Sequence, residues 1–137
     1  MATIKSFSDL QQSKELAKIL PLESADMTYC AITEGMREKM IIKKWEVNVG
    51  LDIAIKENLF SYRNGYIVPC WSLASLLELL PKRLQIVDNV YELSVYFYGL
   101  YYWNKVNGNP YFDAQDKDNL VDACYEAIVF LHEQKLL

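Results

Sequence analysis

The aromatic residues of this chain are concentrated in one short segment. Residues 91–112 hold nine of the 18 aromatic side chains of the 137-residue sequence. Aromatic and β-branched residues favour the pleated, half-buried surface of a sheet, so this segment is predicted to form strands. Seven of the nine are Tyr or Trp, whose polar tips can meet water or a partner while the rings pack. We therefore predict an interaction surface on this sheet at Tyr96, Tyr98, Tyr101, Tyr102, Trp103 and Tyr111.

Turn residues divide the aromatic segment into strands. Two strands, 91–98 and 100–106, are predicted to meet near Gly99. The dipeptide Asn107-Gly108 favours a tight hairpin, so a short third strand is expected at Tyr111. This part of the sheet is therefore predicted to be antiparallel.

A second strand signal lies earlier in the chain. Apolar residues alternate with polar or small ones over residues 45–56, which indicates a strand with one buried face and a bend at Gly50. Shorter strands are predicted over 27–32 and 66–68, with a turn at Asn64-Gly65. The apolar residues of the alternation are Trp45, Val47, Val49, Leu51, Ile53 and Ile55.

Two helices are predicted from capping residues and proline stops. The first spans residues 8–20, where Ser8 with Gln11 matches a capping box. The second begins after Ser72 as N-cap and ends before Pro81. The apolar face of the second helix consists of Leu73, Leu76, Leu77 and Leu80.

The last helix has the clearest periodicity. Asn119 and Asp122 form a capping pair at its start, and apolar residues follow at helical spacing. That stripe is Val121, Cys124, Tyr125, Ile128, Leu131 and His132, so His132 is expected in the core. Together these elements predict one α+β domain over residues 1–137. It has a single, mostly antiparallel sheet of four to six strands with three helices, the N- and C-terminal helices packed on one face.

The charge distribution argues against nucleic-acid binding. The net charge is −4, and residues 69–137 carry five basic and nine acidic side chains. The aromatic segment contains Lys105 as its single basic residue, whereas phosphate neutralisation needs several. The longest apolar run, residues 66–80, contains Pro69 and Glu78 and is too short to span a membrane, and the N-terminus has no signal-peptide core. We expect a cytoplasmic protein that binds neither nucleic acid nor membrane.

Three residues are candidates for a cysteine-dependent activity. Cys70-Trp71 at a helix start resembles the cysteine–tryptophan step of papain-like proteases, because a helix N-terminus favours a thiolate. His132 is the single histidine and so the single imidazole base, and the expected upstream glutamine is missing. We predict no catalytic residues, and a cysteine-dependent hydrolase using Cys70 and His132 stays open as an alternative.

Metal and cofactor sites are not expected. Zinc could draw on Cys30, Cys70, Cys124 and His132, but structural zinc sites use a close ligand pair and none of these is closer than eight residues. The acidic run Asp113, Asp116, Asp118 and Asp122 lacks the glycine and glutamate of a calcium loop. The odd, unpaired spacing of the three cysteines also argues against a disulfide framework.

Four segments of the chain are distinctive: FSDLQQSKELAKILPLESADM at 7–27, IVPCWSLASLLELLP at 67–81, YEL from Tyr91, and DNLVDACYEAIVFLHEQKLL at 118–137. Together they resemble a family of small prophage and mobile-element proteins of gut Bacteroidales that has no assigned activity. The resemblance implies a phage or mobile-element accessory protein in a host bacterial cell and carries over no site residues. Residues 33–65 have no counterpart there and are a candidate variable insertion.

These observations predict a non-enzymatic interaction protein without cofactors. Its partner is expected to be protein, with a homodimer as the simplest case, and its contact surface the aromatic-rich sheet. Besides the hydrolase, small-ligand binding in an aromatic cleft stays open as an alternative.

Overall fold

The computed structural model describes residues 5–36, 40–50, 62–96, 99–115 and 117–137. Within these ranges the chain forms three α-helices and seven strands, so the predicted α+β class is confirmed. The prediction of a single sheet is wrong, because the strands form one three-stranded and one four-stranded antiparallel sheet. The chain also divides into two compact units, Asp9–Ser72 and Met1–Ser8 with Leu73–Leu137. That the chain is one domain, with residues 33–65 as an insertion, stays a prediction.

The first unit is built on a three-stranded sheet. The central strand pairs antiparallel with both neighbours, and one neighbour contains Pro69. Proline cannot donate to a ladder and is therefore found at sheet edges. The strands are β1 (Met27–Glu34), β2 (Ile41–Val49) and β3 (Ile67–Cys70), in the order β2-β1-β3.

Strand β2 is only partly buried, unlike the predicted strand. The alternation correctly predicted a strand, and β2 ends where Gly50 adopts φ 99°, a left-handed conformation that favours glycine. Trp45 and Val47 are half-buried, but Val49 is 89% exposed. The predicted continuation over 51–56 lies outside the described residues. An outermost strand has less cover than a central one, which explains the open face.

Helix α1 (Leu10–Leu16) starts two residues later and ends four residues earlier than the predicted helix over 8–20. Its N-cap is Asp9, whose carboxylate accepts the Gln12 amide at 2.8 Å while the Gln12 side chain accepts the Asp9 amide at 3.1 Å. Ser8 with Gln11 was therefore the wrong capping box. Two such patterns overlap at this point, and Asp and Ser are similarly good caps. The helix packs on β3.

The second unit contains a four-stranded antiparallel meander. Its strands are β4 (Arg83–Ile86), β5 (Asn89–Tyr96), β6 (Gly99–Asn104) and β7 (Pro110–Ala114), in that order. The hairpin predicted at Asn107-Gly108 is confirmed, with Gly108 at φ 75°. Strand β4 was not predicted, because it is only four residues long and its turn at Val87-Asp88 lacks glycine.

Two helices complete this unit. Helix α2 (Leu73–Leu79) begins directly after Ser72, as predicted, and contacts helix α3 (Leu120–Glu133). The predicted cap of α3 is confirmed, since Asn119 Oδ1 accepts the Asp122 amide at 2.9 Å. Helix α3 packs on β6 and β7.

Two predictions about helix packing are wrong. Helices α1 and α3 do not share one face, because α1 packs on the three-stranded sheet and α3 on the four-stranded sheet. His132 is exposed in the last turn of α3 instead of lying in the core. Each helical residue turns by about 100°, so the stripe that buries Ile128 and Leu131 leaves the next residue outside.

Candidate interaction surface

The four-stranded sheet turns one face towards α3, and Tyr102 lies on that inner face. Its side chain is fully buried, and its hydroxyl donates to the Pro81 carbonyl oxygen at 2.7 Å. Burial, with a smaller effect of the Cys124 thiol, raises the pKa of Tyr102 well above its usual value. Tyr102 therefore belongs to the core and does not contribute to the predicted surface.

Tyr111 also packs on the inner face. The register of β6 and β7 shifts by one residue, so that Tyr102 faces Phe112 while Trp103 faces Pro110. This bulge lets both Tyr111 and Phe112 contact Phe130 of α3, with ring centroids 5.6 and 4.8 Å away respectively. Half-buried Tyr111 therefore serves helix packing.

Three further aromatics of the predicted surface, Tyr96, Tyr101 and Trp103, lie on the opposite face. Because side chains alternate along a strand, Tyr101 and Trp103 point away from α3 while Leu100 and Tyr102 point towards it. Tyr96 reaches Tyr101 with ring centroids 5.8 Å apart, and Tyr101 reaches Trp103 at 6.2 Å. Tyr98 lies outside the described residues. We call Tyr96, Tyr101 and Trp103 the outer aromatic row.

The outer aromatic row has a fixed orientation. The indole Nε1 of Trp103 donates to the Ser94 hydroxyl on β5 at 2.8 Å, which holds the ring against the neighbouring strand. The planes of Tyr96 and Tyr101 meet at 64°, and those of Tyr101 and Trp103 at 38°. All three rings are half-buried. The three rings are thus tilted against one another and do not form a flat platform for stacking.

A cluster of charges borders the row beside Trp103. Glu92 faces Trp103 across the strands, and its carboxylate binds Lys105 Nζ at 2.7 Å and Arg83 Nη2 at 3.4 Å. The hydrogen bond from Lys105, more than the charges of Lys105 and Arg83, lowers the pKa of Glu92. The sequence prediction missed these three residues. The alternation Glu92, Ser94, Tyr96 along one strand was the signal that could have found them.

A cleft of about 340 Å³ opens beside this charge cluster, at the turn end of the same sheet. It offers amides, charged groups and valine side chains, and none of its lining residues is aromatic. It therefore differs in chemistry from the aromatic cleft suggested for a small ligand. The lining residues are Asp88, Asn89, Val90, Glu92, Asn104, Lys105, Val106 and Asn107.

The two residues of the alternative hydrolase belong to different compact units. Cys70 is fully buried in β3 of the first unit, whereas His132 is exposed on α3 of the second. None of the three cysteines, all of which the structure describes, is in a disulfide; Cys30 is half-exposed and the other two are buried. Burial raises the pKa of the Cys124 thiol to about 12. A fully buried thiol offers no surface to a substrate in this conformation.

The part of the chain that the structure describes contains neither a cluster of metal-ligating side chains nor a helix that could span a membrane. No group of three or more His, Cys, Asp or Glu side chains lies close enough there to hold a metal ion. Asp113 instead accepts the Gln115 amide at 3.0 Å, and Asp122 binds Lys5 Nζ at 2.8 Å. No helix among the described residues is long and apolar enough to cross a membrane.

Comparison with known proteins found no relative of this chain. No family model matches the chain, and neither a curated protein nor a solved structure matches it. The outer aromatic row and its surroundings are therefore the features from which a function can be proposed.

Proposed function

We propose that the chain is a non-enzymatic interaction protein that binds another protein through the outer aromatic row. The observation that carries this proposal is that three large rings lie half-buried on the sheet face opposite α3. Following the resemblance of its sequence segments, we place it among the cytoplasmic accessory proteins of phages and mobile elements.

The chemistry of the row supports a protein partner. Tyrosine and tryptophan bury much area while losing little rotamer entropy, and they are enriched among the residues that dominate binding energy. The hydrogen bond between Trp103 and Ser94 fixes one ring before binding, which reduces the ordering cost of association. The Glu92 cluster supplies a polar rim beside the apolar centre.

The charges near the row disfavour nucleic acid. Base stacking is used together with a basic groove that follows the phosphates. Here Arg83 and Lys105 both bind the Glu92 carboxylate, so the two cations beside the row are partly neutralised. Binding of single-stranded RNA or DNA is therefore expected to be weak even at low salt.

Photo-crosslinking tests the proposal in the cells that produce the protein. A benzoylphenylalanine placed at Tyr101 should yield one discrete crosslinked protein. The same probe at Val106, which is 96% exposed but outside the row, should not. Adding Trp103→Ala to the Tyr101 probe should reduce the product by about tenfold, because losing a large interface ring costs more than about 1 kcal/mol.

Two results would overturn the proposal. Equal crosslinking from positions 101 and 106 would show that the row is ordinary surface. A gel shift with a single-stranded oligonucleotide that is tight and steeply salt-dependent would assign the row to nucleic acid instead.

A further inference from the structure

Strand β2 presents a second surface, separate from the outer aromatic row. Among the described strands it is one of the two edge strands of its sheet, it is nine residues long, and most of its side chains are exposed. The outer edge of such a strand presents main-chain N–H and C=O groups that can pair with another strand. The described part of the strongest alternation in the sequence, Trp45 to Val49, therefore lies where a further strand could be added.

Hydrogen bonding shows which residues point outwards. The Gly50 amide donates to the Asp26 carbonyl at 2.8 Å, so residue 50 directs its main chain towards β1. In an antiparallel ladder, bonding and non-bonding positions alternate. The main-chain groups of Trp45, Val47 and Val49 consequently point to the outer edge.

The side chains of these three residues share one face of the sheet. Trp45 and Val47 are half-buried there, and Lys14 Nζ lies 5.6 Å from the centroid of the Trp45 ring. Val49 is 89% exposed. Apolar side chains and outward main-chain groups thus occur at the same positions, as a pairing edge requires.

We propose that two copies of the chain associate by antiparallel pairing of β2 with β2, around a two-fold axis at Val47. In this register Val47 faces Val47 of the second copy, and Trp45 faces its Val49. Each of these facing pairs can exchange both main-chain hydrogen bonds. Aromatic and β-branched residues that face each other also form favourable cross-strand pairs.

The register is confined to the regular part of the strand. On one side, the ladder between β1 and β2 shifts at Ile32/Thr33 and leaves Lys43 without a facing residue. On the other side, Gly50 bends the chain, and its carbonyl accepts the Thr28 hydroxyl at 2.6 Å. An axis at Val47 uses Trp45 to Val49 in full and avoids both irregularities.

The charges on β2 are compatible with pairing to itself. In the proposed register Glu46 faces the neutral Asn48 of the second copy, and Lys44 faces Gly50. Lys44 Nζ lies 3.5 Å from the Glu46 carboxylate, so the pair is neutral within each copy. No like charges face each other directly, which would destabilise the pairing.

Sedimentation over a concentration series tests the proposal with the full chain. The wild type should form a dimer. Val47→Pro should abolish it, because proline removes an outward N–H and leaves the β1 ladder intact, as circular dichroism of the variant would verify. Val49→Lys should weaken dimerisation by about a hundredfold, because a symmetric interface contains each change twice. Val106→Lys, a charge at an equally exposed valine, should leave the dimer unchanged.

Oxidative crosslinking tests the register itself. In a Cys30→Ser background, Val47→Cys should form a disulfide between copies, since facing bonded residues have Cα atoms about 5.5 Å apart. Asn48→Cys should not, because its symmetry mate lies two residues further along the paired strand. A monomer at all concentrations, or a dimer unaffected by Val47→Pro and Val49→Lys, would overturn the proposal. Loss of the dimer on Trp103→Ala alone would do so as well, by moving self-association to the outer aromatic row.

Discussion

At the scale of single residues, neighbours in sequence have opposite roles. Tyr101 and Tyr102 are adjacent, but the first belongs to the outer aromatic row and the second to the core. Composition predicted a sheet rich in aromatics correctly, but it could not assign the faces. The assignment depends on the position of α3 and on the bulge at Tyr111, which are tertiary features with no local signature.

This contrast predicts different costs for removing the two hydroxyl groups. Tyr102→Phe should lower the free energy of unfolding by about 1 kcal/mol, because it leaves the Pro81 carbonyl without its 2.7 Å hydrogen bond. Tyr101→Phe is the matched control and should change stability by less than about 0.5 kcal/mol. Urea unfolding measures both, and equal losses would contradict the assignment of faces.

Buried tyrosines predict a loss of stability in alkali. Burial, followed by the charges of Cys70 and Asp9, raises the pKa of Tyr29 to about 12 in the folded protein. In the unfolded chain the hydroxyl ionises near pH 10, so unfolding is favoured above that pH. The free energy of unfolding should hold below pH 10 and then fall as the pH approaches 12. Tyr29→Phe should reduce this fall, and an unchanged profile would show that Tyr29 is not responsible.

The thiols differ in burial and should differ in reactivity. In the native protein iodoacetamide should modify half-exposed Cys30 well before Cys70 or Cys124, which are buried. Mass spectrometry of timed samples gives the order, and denaturant should remove it. Rapid alkylation of Cys70 that disappears in His132→Ala would instead support the cysteine-hydrolase alternative.

At the scale of elements, the features that depend on residues close in sequence were predicted better than those that depend on tertiary packing. The cap of α3 and the Asn107-Gly108 hairpin were predicted correctly, because each depends on residues close in sequence. Strand β4 was missed, because it is only four residues long and its turn lacks the usual residues. The start of β6 has a different constraint, since a Cβ on Gly99 would lie 2.6 Å from the Gln115 Cα. A close approach of this kind cannot be read from one sequence.

Two neighbouring residues of helix α3, one buried and one exposed, test how the helix is oriented on the sheet. Leu131→Ala should lower the free energy of unfolding by about 2–5 kcal/mol, because a fully buried leucine leaves a cavity. His132→Ala, at the next and exposed position, should change it by less than about 0.5 kcal/mol. Chemical denaturation of both variants measures the difference. Similar costs would mean that the helix is rotated from the described position.

At the scale of the whole molecule, the sequence predicted the class but not the number of sheets. Both groups of strands are antiparallel and pair with near neighbours in sequence, so local patterns look the same for one sheet or two. Helix α2 separates the groups along the chain, and strands on either side of it join different sheets. The patterns of a single sequence do not show whether two groups of strands join one sheet or form two.

The two proposed surfaces give the molecule two separable contacts. The outer aromatic row lies on the sheet that follows α2 in the chain, and β2 belongs to the sheet that precedes it. The first is proposed to bind another protein, and the second a copy of this chain. Self-association should therefore survive Trp103→Ala, and partner binding should survive Val49→Lys.

Hydroxyl-radical footprinting with mass spectrometry tests whether the outer aromatic row is the contact surface, because tyrosine and tryptophan rings oxidise according to their exposure. The protein would be oxidised alone and together with the partner recovered by crosslinking at Tyr101. We expect Tyr101 and Trp103 to be protected when the partner is bound, while oxidation of Val106 is unchanged. Equal oxidation of Tyr101 and Trp103 in both samples would contradict the claim that the outer aromatic row is the contact surface.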